Sequence, residues 1–345
     1  MSVSKEKKVN IVDFGELIIS QEDNLLSITK KVFQESYKDI LGARINNEIS
    51  PLYKVPEDGW TIKFLNNRDV DGYRIFTKTI SAVFIMACKE LFPDNDPIIH
   101  HFLGPGLYAE LDKKHGISFK ETAQLEEKMN EIINKDIPIE REEIPRLQAI
   151  ELYKELKYFD KVRLLSTIDK DNVSVYKIGT HTDSYHGYLA PSTGYIKDFK
   201  LKYYYPGVIM LFPSRKNNYN MDNFRDQKKL AKIFKEANNW LDIMDLSNIG
   251  SLNQQIINGR VGDLVRISEA LHEKRIAQIA DKICEDPDIT MILIAGPSSS
   301  GKTTFAKRLS TQLKVNGKRP ISISVDDYFV DREDTPLDEN GEPDF

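Results

Sequence analysis

The chain has 345 residues, 40 % hydrophobic and 29 % charged, with 48 basic against 53 acidic side chains for a net charge of −5. That length exceeds one ordinary domain, the composition excludes wholesale disorder, and the charge balance argues against a broad nucleic-acid-binding face. Cys88 and Cys284 stand too far apart for a disulfide framework, no apolar run reaches the ~18 residues that span a membrane, and MSVSKEKKVN is no signal peptide, so a cytoplasmic setting without a membrane partner is expected.

The first seventy residues read as a small mixed unit. Val9, Ile11 and Val12 form a β-prone run that Asp13-Phe14-Gly15 ends. Asn24 has the chemistry of a helix N-cap, and Leu25, Ile28, Val32 and Phe33 follow at helical spacing. Gly42–Asn46 and Trp60–Leu65 read as strands, with Pro56-Glu57-Asp58-Gly59 as a turn between them. Strand, helix and two later strands suit a β-grasp module.

From Tyr73 to about Phe212 the pattern is mixed, with helical runs in TISAVFIMACKELF and around ETAQLEEKMNEIINK. Tyr203-Tyr204-Tyr205 reads as aromatic packing on a strand, with stacking on RNA bases as the alternative. His100 and His101 are adjacent, so on a regular strand they should point to opposite faces. The polar stretch Arg215–Asn223 reads as a linker. Amphipathic helices are expected near Gln227–Leu241 and Gly262–Cys284.

From Thr290 the pattern changes again. Met291-Ile292-Leu293-Ile294-Ala295 is continuously apolar, as a parallel strand buried on both faces should be. A helix from Thr303 to about Val315 and a second strand, Ile321 to Val325, complete a βαβ unit. A doubly wound domain needs more chain than follows, so the sequence reads as ending inside its last domain.

Gly296-Pro297-Ser298-Ser299-Ser300-Gly301-Lys302-Thr303, followed by Thr304, fits the phosphate-binding pattern G-x-x-x-x-G-K-[ST]. Glycines let the chain wrap closely, so that backbone N–H groups point at phosphate oxygens, and the helix beyond adds the positive end of its dipole. Lys302 would bridge the β- and γ-phosphates of ATP, and the Thr303 hydroxyl would coordinate Mg²⁺. Asp326-Asp327-Tyr328-Phe329 lies just past the second expected strand, at the sheet edge where ligands sit. A carboxylate there could hold Mg²⁺ or accept the proton of an attacking hydroxyl.

GPSSSGKTT followed by SISVDDYFVDR resembles the uridine kinase and phosphoribulokinase family. The resemblance implies Asp326 as catalytic base, with Lys302 beside it in catalysis and Tyr328 or Phe329 lining a nucleoside pocket. NGEPDF resembles a stretch whose Asp contacts ribose hydroxyls, which implies Asp344 as a substrate residue. The expected activity is ATP-dependent phosphorylation of a nucleoside 5′-hydroxyl, uridine or cytidine first. The family's lid lies beyond Phe345, so this stretch is expected to be inactive by itself.

Upstream, ILGARINNEISPLYKVPEDGWTIKFL resembles the end of the TGS domain of threonyl-tRNA synthetases. MACKELFPDNDPIIHHFLGPGLYAELD and DSYHGYLAPSTGYIKDFKL resemble parts of their editing domain. That family's editing site uses an H-x-x-x-H pair and a later C-x-x-x-H pair. Alignment puts Lys78 and Ala82 at the first pair and Tyr185 and Leu189 at the second. None of the four suits the expected ligand role, so editing chemistry is not expected. His100, His101, His181 and His186 are the histidines from which a replacement metal site could be drawn.

The expected fold is thus α+β and α/β multidomain. A TGS-like β-grasp occupies 1–70, an editing-like domain without its ligands 71–225, a helical connector 226–288 and an incomplete P-loop domain 289–345. The alternative function is an RNA- or tRNA-associated regulator that uses the nucleotide site as a sensor. The sequence leaves self-association into a homo-oligomer open.

Overall fold

A computed structural model describes residues 6–331 and 334–342. Chain contacts divide it into two units, Met1–Asn253 and Gln254–Phe345. The architecture is mixed α+β, with three sheets, all of them formed by strands of the first unit among the described residues.

The first sheet joins β1 (Glu6–Ile11), β2 (Gly15–Ser20), β3 (Ile40–Ile45), β4 (Glu48–Ser50) and β5 (Thr61–Asn66) in the order β2-β1-β5-β3-β4. β1 and β5 are parallel, and the other pairs are antiparallel. Helix α1 (Leu25–Phe33) inserts Leu25 and Ile28 into the core beneath this sheet. Asn24 caps it as expected, its side-chain oxygen accepting from Ser27 N at 2.9 Å. β2 was not foreseen, because GELIIS follows a loop signal and carries only a short apolar run.

Helix α2 (Val70–Leu91) is the central strut of the first unit. It begins nine residues before the expected run, and thirteen of its residues are buried, so it is apolar on nearly every side. One flank meets the first sheet. Another meets the inner face of a four-stranded antiparallel sheet of β6 (Pro97–Leu103), β7 (Gly106–Leu111), β11 (Lys200–Tyr204) and β12 (Gly207–Leu211), ordered β11-β12-β7-β6. Leu107, Ala109, Leu111, Val208 and Met210 join the main core with Ile80, Val83, Phe84 and Ala87 of α2. Alternate residues face outward, where Leu103, Tyr108, Ile209 and Leu211 form a second cluster with Phe224, Ala231 and Phe234.

Helix α3 (Phe119–Asn134) starts at a capping box in which Ser118 Oγ accepts from Glu121 N and Glu121 Oε2 accepts from Ser118 N. A third sheet, β10-β9-β8, comprises β8 (Ile139–Pro145), β9 (Asn172–Ile178) and β10 (His181–Asp183). Its cover is α4 (Arg146–Glu155) and α5 (Phe159–Thr167), packed through Ala149, Ile150, Tyr153, Leu165 and Val175. Helix α6 (Lys228–Ile243) follows, and the division between the units falls within α7 (Ile249–Ile257).

In the second unit α8 (Val261–Glu285) packs on α9 (Lys302–Val315) through Ile276, Ala280, Leu309 and Leu313. The expected strands at Met291–Ala295 and Ile321–Val325 do not form. Met291 is 77 % exposed, Leu293 86 % and Ile321 88 %. The reason is physical: a parallel strand needs neighbours for its backbone groups and cover on both faces. Among the described residues of this unit no strand supplies either. The helix of the expected βαβ unit is therefore present without its sheet.

Candidate functional site

The phosphate-loop residues do form a compact turn into α9. Ser299 and Gly301 take left-handed φ values of 59° and 82°, and Gly301 caps the helix. Lys302 curls back, its Nζ donating to Gly296 O at 2.8 Å and Pro297 O at 2.9 Å. A Cβ on Gly296 would lie 2.8 Å from Ser300 Oγ, so a side chain there would require that hydroxyl to move. Pro297 O also accepts from Ser300 N at 3.3 Å, while Ser298 lies between them. Thr303 and Thr304 stand in the first turn of α9. The loop thus has the compact, glycine-dependent backbone that the sequence pattern called for.

Asp326 does not join this loop. It sits on the 3₁₀ turn Val325–Tyr328, and its side chain makes no hydrogen bond or ion pair among the described residues. Tyr328 is 75 % exposed and Phe329 62 %, so neither lines a pocket. Both were expected beyond a strand that is not formed, which removes the geometric reason for their roles. Asp344 lies outside the described residues.

A second locus is better assembled. Lys78 and Ala82 lie one turn apart on α2, and Tyr185 and Leu189 lie on the loop after β10. The two segments, more than a hundred residues apart in sequence, meet. Thr79 Oγ1 accepts from Ala190 N at 2.9 Å and donates to Ile75 O at 2.8 Å. A Cβ added to Gly187 would come within 2.6 Å of Lys78 Nζ. None of the four aligned positions carries the histidine or cysteine of the synthetase pattern. Ala82 and Leu189 are buried apolar side chains. Burial pulls the Lys78 ammonium below its usual pKa, and the positive charge of Arg74 adds to the effect. Burial drives the Tyr185 hydroxyl well above its usual pKa, and the Asp183 carboxylate reinforces it. Around them, Lys161 pairs with Asp183, and Tyr176 OH donates to Gly187 O at 2.5 Å, which fixes the loop. Among the described residues no group of three or more His, Cys, Asp or Glu is arranged to hold a metal.

The adjacent histidines depart from expectation. The β6–β7 register runs Ile99↔Ala109 and then Phe102↔Leu107, one extra residue on β6. This bulge places both His100 and His101 against Tyr108, at ring centroid separations of 5.5 Å and 5.9 Å, instead of on opposite faces. Glu110 stands beside them and was not foreseen; its carboxylate accepts from Tyr108 OH and lies 3.6 Å from His100 Nε2. Burial pushes the Glu110 pKa up, but His100, Tyr108 and the charge of Lys235 outweigh it and hold it below the ordinary value. The only sequence signal for this cluster is the His-His pair itself, since a bulge has no residue pattern of its own.

Comparison with known proteins bears on all of this. No family model matches the chain. A threonine–tRNA ligase of Orientia tsutsugamushi is 32 % identical over 167 residues, 48 % of this chain and 26 % of that protein. That of Rubrobacter xylanophilus is 27 % identical over 194 residues, 56 % of this chain and 30 % of its own. That of Clostridioides difficile is 28 % identical over 180 residues, 52 % and 28 % respectively. The likeness is to tRNA ligases. The chain spans less than a third of the length of these curated relatives. The similarity supports the synthetase-like reading of the N-terminal part. It overturns the expectation of a nucleoside kinase acting on uridine or cytidine, which also loses its geometry with the unformed strands and the isolated Asp326. No helix among the described residues is long and apolar enough to cross a membrane.

Proposed function

We propose that this protein is a tRNA-associated regulator. In this reading its synthetase-like N-terminal unit binds RNA without editing it, and its loop at Gly296–Thr304 senses a nucleoside triphosphate. The observation that carries the reading is the meeting of α2 with the loop after β10. The tie through Thr79 and Ala190 keeps the scaffold in place, while Lys78, Ala82, Tyr185 and Leu189 leave it without the histidine and cysteine ligands of the synthetase pattern. Retained architecture with vacated chemistry favours binding over hydrolysis. At the loop, backbone N–H groups and Lys302 would hold the phosphates of ATP, and the Thr303 hydroxyl would take one Mg²⁺ position. The bound ion would neutralise phosphate charge.

The test is tRNA binding by the 345-residue chain at about 50 mM and about 200 mM salt, with and without ATP. Phosphate contacts release counterions, so affinity should fall steeply between the two conditions, by roughly tenfold or more for even a few contacts. ATP should shift the tRNA affinity, and Lys302→Ala should abolish that shift while leaving the tRNA affinity without ATP unchanged. Affinity that is weak and indifferent to salt would discard the reading.

A further inference from the structure

The outer face of the β11-β12-β7-β6 sheet carries a feature that neither the tRNA reading nor the loop uses. Helix α6 lies over this face and lines it with Ala231, Phe234, Asn238 and the more exposed Leu241. Three of these are apolar, but Asn238 puts an amide where packing alone would favour another Leu. Two contacts tie helix to sheet. Phe234 stacks on His101 with ring centroids 3.6 Å apart, and Asn238 Nδ2 lies 3.4 Å from His100 Nδ1. Both contacts depend on the bulge that turns the two histidines to one face.

Beside these ties the helix and sheet leave a cavity of about 760 Å³, within the roughly 300–1,000 Å³ range of small-molecule sites. His101 Nε2 is buried and lacks a hydrogen-bond partner in the structure, while His100 Nε2 faces the Glu110 carboxylate at 3.6 Å. Buried ring nitrogens left unpartnered cost free energy, and a strand bulge beside a cavity is a common device for aiming side chains at a ligand. A metal does not suit the residues, which include no three-donor cluster.

We propose that this cavity binds a nucleoside monophosphate. Lys113, Lys114, Lys232 and Lys235 line it and suit a phosphate. The Glu110 carboxylate, the Asn238 amide and the unpartnered His101 Nε2 line it further, a set that reads hydroxyl and amino donors such as those of ribose and base. Tyr204 and Tyr205 add flat faces at the edge, and the Tyr205 ring is exposed and available for stacking. Asp112 and Asp242 also line the site and select against a ligand of high negative charge, which favours one phosphate over three. The nucleotide could be free in solution or stand at a strand terminus; the recognised chemistry is the same.

The experiment is calorimetric titration of the full chain carrying Lys302→Ala, so that the glycine-rich loop does not contribute, with AMP and UMP as probes. At least one should bind saturably, with adenosine or uridine alone and inorganic phosphate alone each weaker by roughly tenfold or more. Lys232→Ala/Lys235→Ala, both at exposed positions that leave folding intact, should weaken binding roughly tenfold. Glu110→Gln should weaken it several-fold without changing the response to inorganic phosphate. Competition by a 5′-phosphorylated RNA oligomer assigns the nucleotide to a strand end, and lack of competition assigns it to the free pool. No saturable binding of either probe, or binding indifferent to the double lysine substitution, overturns the proposal.

Discussion

Thr79→Val tests the tie on which the synthetase-like site depends. Valine keeps the shape and β-branching of threonine in the middle of α2, so no cavity opens around this fully buried position. The hydroxyl's donation to Ile75 O is a small loss, because that carbonyl keeps its helical partner. The acceptance from Ala190 N at 2.9 Å is different. Ala190 is buried, and its N–H would be left with no partner, a cost of about 1–3 kcal/mol. A central value of about 2 kcal/mol lowers the folded-to-unfolded ratio roughly thirtyfold and moves a urea midpoint down by about 1 M. Far-UV circular dichroism in urea reads the midpoint, and amide hydrogen exchange at Ala190 reads the local effect. Thr79→Ser keeps the oxygen and should recover most of both. If Thr79→Val leaves the midpoint and the Ala190 exchange rate unchanged, the two segments are held together by something else.

Two further outcomes follow from the same geometry. Ala82→His, which restores an imidazole where the synthetase pattern has one, should destabilise by about 3–5 kcal/mol, since the position is fully buried and both ring nitrogens would lack partners; thermal unfolding checks it, and a fold that accepts it without loss would show room that the structure lacks. Glu121→Gln should cost about 1 kcal/mol at neutral pH by weakening the α3 capping box and the contact with Lys113. Burial alone would raise the Glu121 pKa, but Lys113 and the Ser118 N–H bring it down to about 2, from 4.5. A folded pKa below the unfolded one means the wild-type contribution is full above pH 4.5 and is lost as pH falls toward 2, so the wild-type and Glu121→Gln stability curves should converge across that window.

The helices were largely legible because period 3.6 is written in the residues themselves. Leu25, Ile28 and Val32 placed α1, and the apolar spacing from Gly262 to Cys284 placed α8. The start of α2 was missed because Asp71, Gly72 and Arg74 interrupt the apolar residues Val70, Tyr73, Ile75 and Phe76; tertiary burial of Asp71, Gly72 and Ile75 extends it. Asp71 is tolerated there because Arg44 and Arg74 both pair with it. Between β6 and β12 the tyrosines of β11 marked a strand, but the other strands escaped reading because their pairings are set by partners up to a hundred residues away, as when β7 pairs with β12. At Met291–Ala295 the reverse occurred: the pattern of a buried parallel strand is present, but the partner strands that would realise it are absent among the described residues.

The same contrast separates the two candidate sites. The loop at Gly296–Thr303 is legible because its function would use backbone conformation, which glycines at fixed spacing dictate locally. The cluster under α6 uses side chains from β6, β7 and α6, and its decisive element is an insertion of one residue in a register that only pairing with β7 defines. Deleting His101 should restore a regular register, leave one imidazole opposite Tyr108 and remove the stack on Phe234, which thermal unfolding would read as a lowered midpoint. A site built this way is invisible to motif reading yet tightly specified, because the bulge, the two histidines and Asn238 join α6 to the sheet around the space they enclose.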